Sequence, residues 1–149
     1  MLAEIESFES KLKDINEFIA DQKWPETLTL EPLNKRVAVH EPCSQRFPLG
    51  THEKAYQFLK RIPAIELIPL PENNICCGAG GSYMLSHPEM SAEIRAEKLK
   101  HLQTTQANIL VTSNIGCALH LASGVCQENM DVMIAHPVEL LAQQIKSSP

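Results

Sequence analysis

The stretch VAVHEPC (residues 37–43) decides the fold prediction, because a run of small and β-branched apolar residues ends abruptly in polar residues and a cysteine. Three runs of the same kind follow along the chain, at Ile65–Pro69, Ile109–Val111 and Val132–Ala135. Short runs rich in Val and Ile are typical of strands that are buried on both faces of a parallel sheet. We therefore predict four short strands, each followed by a loop with unusual side chains.

Helical patterns separate these predicted strands. We expect the helices at about residues 53–61, 88–103, 115–122 and 137–145. Strands that alternate with helices form βαβ units, whose crossovers are right-handed. The predicted fold class is therefore α/β: a three-layer Rossmann-like domain with about four parallel strands.

The first part of the chain follows a different pattern. Apolar residues between Leu2 and Ile19 recur in steps of three or four, which predicts an N-terminal amphipathic helix. We expect its apolar stripe to belong to the core or to a subunit contact. Residues 21–34 have no clear period and contain two prolines, so they are predicted to form a connector. The predicted units are thus the helix with its connector, residues 1–34, and a cysteine-rich domain, residues 35–149.

Composition excludes several classes of protein. The chain has 149 residues, of which 44% are hydrophobic and 21% charged, as expected for a globular domain. A net charge of −5 argues against nucleic-acid binding, which requires an excess of Lys and Arg. We find no apolar run of about 20 residues and no pattern typical of a secretion signal. The predicted location is the cytoplasm, either free or peripheral at the inner face of the membrane.

Five cysteines make up the first specific signal, and an odd number without a secretion signal argues against a disulfide scaffold. Cys126 is predicted to be a partly buried structural thiol. The other four follow the predicted strands or lie just beyond them: Cys43, Cys76, Cys77 and Cys117. Because the carboxyl ends of parallel strands share one edge of a sheet, we expect these four thiols to converge on one site. His40 and His136 lie at the same edge and are weaker candidates for contact with it.

The adjacent pair Cys76–Cys77 is chemically informative, because two neighbouring thiolates cannot easily chelate one small tetrahedral ion. They can bind two irons of a cluster. Gly78 permits a positive φ, so that backbone N–H groups of this loop can point at sulfur. Cys117 lies near the start of a predicted helix, where the helix dipole favours a thiolate. His120 is on the same helical face and is a candidate ligand or hydrogen-bond donor to the site.

The motifs VAVHEPC (37–43), NICCGAGGSY (74–83) and SNIGCALHLASG (113–124), with HPVELL (136–141) downstream, resemble the cysteine-rich CCG domain. This domain occurs in heterodisulfide reductases and in the iron–sulfur components of glycolate oxidase and lactate utilisation systems. The resemblance is closest to the C-terminal part of the glycolate oxidase iron–sulfur subunit. It implies an iron–sulfur cluster of the 4Fe-4S type, with Gly78 beside it and with these metal ligands: Cys43, Cys76, Cys77, Cys117 and His120.

The sequence departs from the family pattern in two respects. The motif usually ends C-x-x-C, whereas the last position here is His120. The family's full chain also has a ferredoxin-like region and two cysteine-rich modules, whereas this sequence has one module. We therefore expect either a fragment of a longer chain or a separate subunit.

The resemblance implies an electron-transfer module of a glycolate or lactate oxidase. A flavoprotein subunit would oxidise the hydroxy acid, and a ferredoxin-like iron–sulfur region, in the parent chain or another subunit, would be a further partner. We find no flavin-binding signature, so we do not expect this chain to be catalytic alone. The alternative is a zinc-binding structural or docking module with a Cys3His site that includes His120. A thiol–disulfide enzyme is a weaker third hypothesis, because the chain has no C-x-x-C motif.

Overall fold

The computed structural model describes residues 2–146 and contains one parallel sheet. Its strand order is β2-β1-β3-β4, and all neighbouring strands pair in parallel. The strands are β1 (Arg36–Val39), β2 (Glu66–Pro69), β3 (Ile109–Val111) and β4 (Met133–Ala135). The prediction of an α/β domain with about four parallel strands is therefore confirmed.

Helices connect the strands and precede them. In chain order they are α1 (Leu2–Glu9), α2 (Ile15–Asp21), α3 (Lys54–Leu59), α4 (Tyr83–Ser86), α5 (Pro88–Thr105), α6 (Ile115–Gln127) and α7 (Pro137–Gln143). A π-helical turn, Gln45–Leu49, and the short helix α4 were not predicted from the sequence. None of the helices among the described residues is long and apolar enough to cross a membrane.

Alternating residues along the strands divide the core into two layers. Val37 and Val39 point to one face of the sheet, where they pack with Phe58 of α3 and Leu140 of α7. Ala38 and Leu110 point to the other face, where they pack against α5 and α6. This alternation follows from the two-residue period of a strand and produces the three layers that were predicted.

The two central strands are buried, but the two outer strands are not. Residues 37–39 of β1 and all of β3 are buried, as expected for strands covered on both faces. In contrast, β2 and β4 form the edges of the sheet and retain exposed residues such as Glu66 and Met133. The expectation that all four strands are buried on both faces is therefore correct only for the centre of the sheet.

The N-terminal region contains two helices rather than one continuous helix. The first ends at Glu9, and α2 begins after Asp14, whose carboxylate accepts hydrogen bonds from the N–H groups of Asn16 and Glu17. Ile19 packs against the core, but four other apolar residues of the predicted stripe are exposed: Ile5, Phe8, Leu12 and Ile15. For these four, the core assignment was wrong, whereas the predicted subunit contact remains a prediction. Residue 1, the side chains of Leu2 and Ala3, and residues 147–149 lie outside the described part.

Candidate metal centre

The site lies where the chain connections diverge from the middle of the sheet. After β1 the chain passes to α3 on one face, whereas after β3 it passes to α6 on the opposite face. Because β1 and β3 are neighbours, their departing loops leave a crevice at the carboxyl edge, which is the general location of ligand sites in open α/β sheets. The residues that follow these two strands, His40 and Thr112, are both buried and lie side by side at the base of the crevice.

Three potential metal ligands meet at the base of this crevice: His40, Cys77 and Cys117. All three are buried, and one ligand atom from each lies within 4.8 Å of the other two. The Sγ atoms of Cys77 and Cys117 are 3.0 Å apart, although the residues are 40 positions apart in sequence. The structure therefore brings together residues from three separate loops, and all five cysteines are free thiols.

Cys43 and Cys76 lie at the exposed rim of the site and not at its base. Their charges contribute to the raised pKa of Cys117, so both thiols are within electrostatic reach of the buried pair. The backbone N–H of Gly78 donates a hydrogen bond of 3.3 Å to Cys76 Sγ, which is the type of N–H to sulfur contact expected for this loop. The site thus has a buried base and an open side that carries two further thiols.

The buried thiols have opposite pKa shifts. The hydrogen bond that joins the two sulfur atoms lowers the pKa of Cys77 to about 6, and the N–H of Ala79 also stabilises the Cys77 thiolate. The same contact, together with burial, raises the pKa of Cys117, because a thiolate at Cys77 disfavours a second negative charge beside it. One proton is therefore shared between the two sulfur atoms at neutral pH. A metal ion that displaces this proton would gain a second thiolate ligand.

Both the backbone conformation at position 78 and the close approach of neighbouring atoms require a glycine there. Its φ is +93°, which L side chains rarely adopt. A Cβ atom at this position would lie 2.5 Å from the carbonyl oxygen of Ser91 and 3.1 Å from His120 Nε2. The predicted positive φ is confirmed, and the glycine allows the cysteine loop to lie directly on α5 and α6.

His120 is buried, but its imidazole contacts the helix behind the loop. Its Nε2 lies 3.0 Å from Ser91 Oγ and 3.1 Å from the Ser91 carbonyl oxygen, and Ser91 Oγ also donates to the carbonyl of Gly78. Burial lowers its pKa, so the imidazole is neutral at neutral pH. In this structure His120 supports the loop through Ser91 and is not one of the three clustered ligands, so its role as a metal ligand remains a prediction.

Two asparagines join the loops that carry the cysteines. The Asn73 side chain accepts a hydrogen bond of 3.0 Å from the N–H of Glu41 and donates one of 2.9 Å to the carbonyl of Val39. It thereby ties the loop of Cys76 to the loop of Cys43. Asn114 caps α6 by accepting from the N–H of Cys117, while its amide donates to Ser44 Oγ. Sequence analysis did not identify these clamps, because polar residues in loops follow no sequence periodicity.

A lysine beneath the site was also missed by sequence analysis. Lys98 of α5 is 1% exposed, and its Nζ donates a hydrogen bond of 2.5 Å to the carbonyl of Glu72 in the cysteine loop. Its positive charge contributes to the lowered pKa values of both His40 and Cys77. The helical period places position 98 on the buried face of α5. Because lysines are seldom fully buried, the sequence did not single out Lys98 as a buried residue.

The remaining sequence candidates lie away from the base of the site. Cys126 near the end of α6 is exposed, so the expectation of a partly buried thiol was wrong. His136 caps the first turn of α7, where its Nδ1 accepts a hydrogen bond from the N–H of Val138.

Comparison with known proteins places this geometry in context. The profile of the cysteine-rich domain CCG matches residues 37–122. Lactate utilization protein A of Oceanobacillus iheyensis is 32% identical over 106 residues, which cover 71% of this chain and 43% of that protein. Lactate utilization protein A 1 of Bacillus mycoides is 27% identical over 137 residues, which cover 92% of this chain and 56% of that protein. The chain thus spans about half the length of the curated relatives it matches.

We predict that Asn73→Ala destabilises the protein and disorders the site. The substitution leaves the N–H of Glu41 and the carbonyl of Val39 without their buried partner, at a cost of about 1–3 kcal/mol per unsatisfied group. Urea unfolding of the metal-free protein measures this loss. The neighbouring Asn74 is exposed, so Asn74→Ala is the matched control and is expected to unfold like the wild type. Equal stability of the two variants would contradict the clamp.

A second prediction concerns the ionisation of the buried thiol pair. Because the pKa of Cys77 is lowered to about 6, a thiolate should form as the pH rises through 6 and persist at higher pH. Thiolate absorbance near 240 nm in the metal-free protein, followed against pH, measures this step. Cys77→Ser should remove it, whereas Cys126→Ser should retain it. A wild-type protein with no thiolate below the ordinary pKa of cysteine, about 8.5, would contradict the prediction.

Proposed function

Because this chain belongs to the family of CCG cysteine-rich domains, we propose that it is an iron–sulfur electron-transfer module of a 2-hydroxy-acid oxidising system. The observation that carries the proposal is the convergence of Cys77 and Cys117 at the base of the sheet crevice, with Cys43 and Cys76 at its rim. Thiolates are the principal ligands of iron–sulfur clusters.

The residues of the site fit such a group. Cys77 and Cys117 present soft ligand atoms from two different loops, and the adjacent Cys76 presents a third toward the open side. Two neighbouring thiolates that face different directions suit a centre with several metal ions better than a single ion. When bound, a cluster of the 4Fe-4S type would supply transfer of one electron at a time.

The protein's own residues hold and tune the site. The N–H of Gly78 donates to Cys76 sulfur, and the N–H of Ala79 stabilises the Cys77 thiolate. Hydrogen bonds to the sulfur ligands, together with solvent exposure, set the potential of such centres. The buried base excludes water from Cys77 and Cys117, whereas the exposed rim provides a short route for an electron to enter or leave.

We further propose that His40 is a ligand or near neighbour of the bound metal. Burial lowers the pKa of His40 to about 3, so its imidazole is neutral and retains a lone pair. Its Nδ1 lies 2.8 Å from Thr112 Oγ1. When Nδ1 donates this hydrogen bond, Nε2 is free to bind metal, and metal-binding histidines are commonly oriented by such a contact. We therefore propose for His40 the role of metal ligand that the family resemblance implied for His120.

The substrate and partners are proposed from the relatives, which are named for lactate utilization. We propose that lactate or glycolate is oxidised by a separate flavoprotein subunit, which passes electrons to this module. A ferredoxin-like iron–sulfur region, in a longer parent chain or another subunit, would be a further partner. The module would not oxidise the hydroxy acid alone. Its proposed location is cytoplasmic, and its proposed cysteine-rich domain begins near residue 35, close to the start of the family match at residue 37.

Zinc binding is the second candidate function, and the His40–Cys77–Cys117 cluster favours it specifically. One nitrogen and two sulfur ligands within 4.8 Å of one another match the donors of many structural zinc sites, which require a fourth ligand. Cys43 or Cys76 at the rim could complete the tetrahedron. Such a module would have a structural or docking role without redox activity of its own.

We expect anaerobic reconstitution with iron and sulfide to give a brown, oxygen-sensitive protein. Because Cys77 and Cys117 form the base of the site, replacing either by Ser should abolish most of the visible absorbance, whereas Cys126→Ser should have no effect. Iron, sulfide and zinc analysis of the same samples measures the outcome. A colourless protein with one zinc per chain would refute the iron–sulfur proposal and support the zinc module.

The two buried histidines should differ in their effect on metal content. His40→Ala removes a donor from the base of the site and is expected to lower the bound metal severalfold. His120→Ala is expected to lower thermal stability, because it removes the contacts with Ser91, but to retain most of the metal. Metal analysis and thermal unfolding of both variants separate these roles. Normal metal content in His40→Ala and loss in His120→Ala would reverse the assignment.

A further inference from the structure

Lys98 is a fully buried cation that is held by a backbone carbonyl. Its side chain is 1% exposed, and its ammonium group donates to the carbonyl of Glu72. None of the ion pairs that the structure gives between residues 2 and 146 includes Lys98. Burial of an ammonium group is costly unless an opposite charge or several hydrogen bonds compensate. A negative charge nearby would therefore stabilise the charged form of Lys98.

The loop that carries Cys76 and Cys77 lies against one face of α5. Ser91, Ile94 and Lys98 are spaced so that they share this face of the helix. Ser91 Oγ donates a hydrogen bond to the carbonyl of Gly78. A Cβ atom added at Gly78 would lie 3.2 Å from the Cβ of Ile94, so Ile94 is close to the loop. Lys98 holds the beginning of the same loop through Glu72. The helix thus supports the loop on both sides of the cysteine pair.

The thiols of the site are within electrostatic reach of Lys98, and the lowered pKa of Cys77 makes it the buried thiolate of the metal-free protein. Cys77, Cys76 and Cys117 all act on Lys98 electrostatically, as does the exposed carboxylate of Glu72. Burial lowers the pKa of Lys98 below its ordinary value, and these groups offset part of that shift. His40, the other titratable group at the base, is neutral and does not compensate the charge.

We propose that Lys98 is the counter-cation of the metal centre, which offsets the negative charge of the thiolate ligands from beneath the cysteine loop. This inference rests on the proposed iron–sulfur function and adds a positioning residue outside the cysteine motifs. Each electron that enters a thiolate-bound cluster adds one negative charge. A buried ammonium group stabilises the reduced form more than the oxidised form, so Lys98 raises the midpoint potential.

The test compares reconstituted wild-type protein with Lys98→Gln and Lys98→Met. Glutamine removes the charge but can still donate to the Glu72 carbonyl, whereas methionine removes both. Lys100→Met is the matched control, because Lys100 on the same helix is exposed and pairs with Glu97. The measurements are the midpoint potential from an anaerobic dithionite titration, the iron content, and the thermal unfolding of each metal-free protein.

We expect both Lys98 variants to have a lower midpoint potential than wild type. At a fixed potential the ratio of reduced to oxidised cluster should fall about tenfold, which is 59 mV for a one-electron couple. Lys100→Met should match the wild type. If Lys98→Gln retains the wild-type potential with full iron content, the charge has no role and the inference is refuted, whatever the stability of Lys98→Met. Absence of any brown chromophore in the wild type would instead refute the proposed function on which the inference rests.

Discussion

The parallel pairing of β1 with β3 is the constraint on which the rest of this structure depends. With β2 outside β1 and β4 outside β3, right-handed crossovers make the chain leave β1 toward one face of the sheet and β3 toward the other. The resulting crevice lies directly above His40 and Thr112, and their contact closes its base. Cys117 enters the crevice at the start of α6, and the loop after β2 brings Cys77 from the adjacent edge strand. A different strand order would separate these residues even if each strand were unchanged.

Polar side chains hold the loops of the crevice without adding charge to it. Asn73 and Asn114 use both ends of their amide groups, each joining a cysteine-bearing segment to the segment that follows β1. Ser91 performs a similar task for the Gly78 loop. These neutral hydrogen bonds position the loops beside the charged groups of the site, which include the thiols and Lys98. This separation matters because a charge in a buried, low-dielectric environment acts strongly on its neighbours.

The base and the rim of the site differ in what they can do. At the base, Cys77 and Cys117 share a proton in a dry environment beside a neutral histidine and a buried lysine. At the rim, Cys43 and Cys76 are exposed and free to take part in chemistry from outside. In the proposed function, the buried base would hold the metal centre, and the accessible rim would permit its loading and the exchange of electrons. The apolar residues exposed on α1 and near α2, among them Phe8 and Leu12, are a separate surface of the molecule.

The sequence alone determined the number and direction of the strands, because apolar runs alternating with helical stretches allow few topologies. It also identified the cysteines that follow the strand ends, since their spacing resembles a known motif. It could not decide whether His40 or His120 faces the thiols. Helical spacing places His120 on the same helix face as Cys117, but it does not show that the His120 imidazole is hydrogen-bonded to Ser91. Nor could it identify Asn73 or Lys98, whose roles depend on contacts with distant segments. Local spacing fixes which helix face a residue occupies, and only the packing of elements against one another decides what that face contacts.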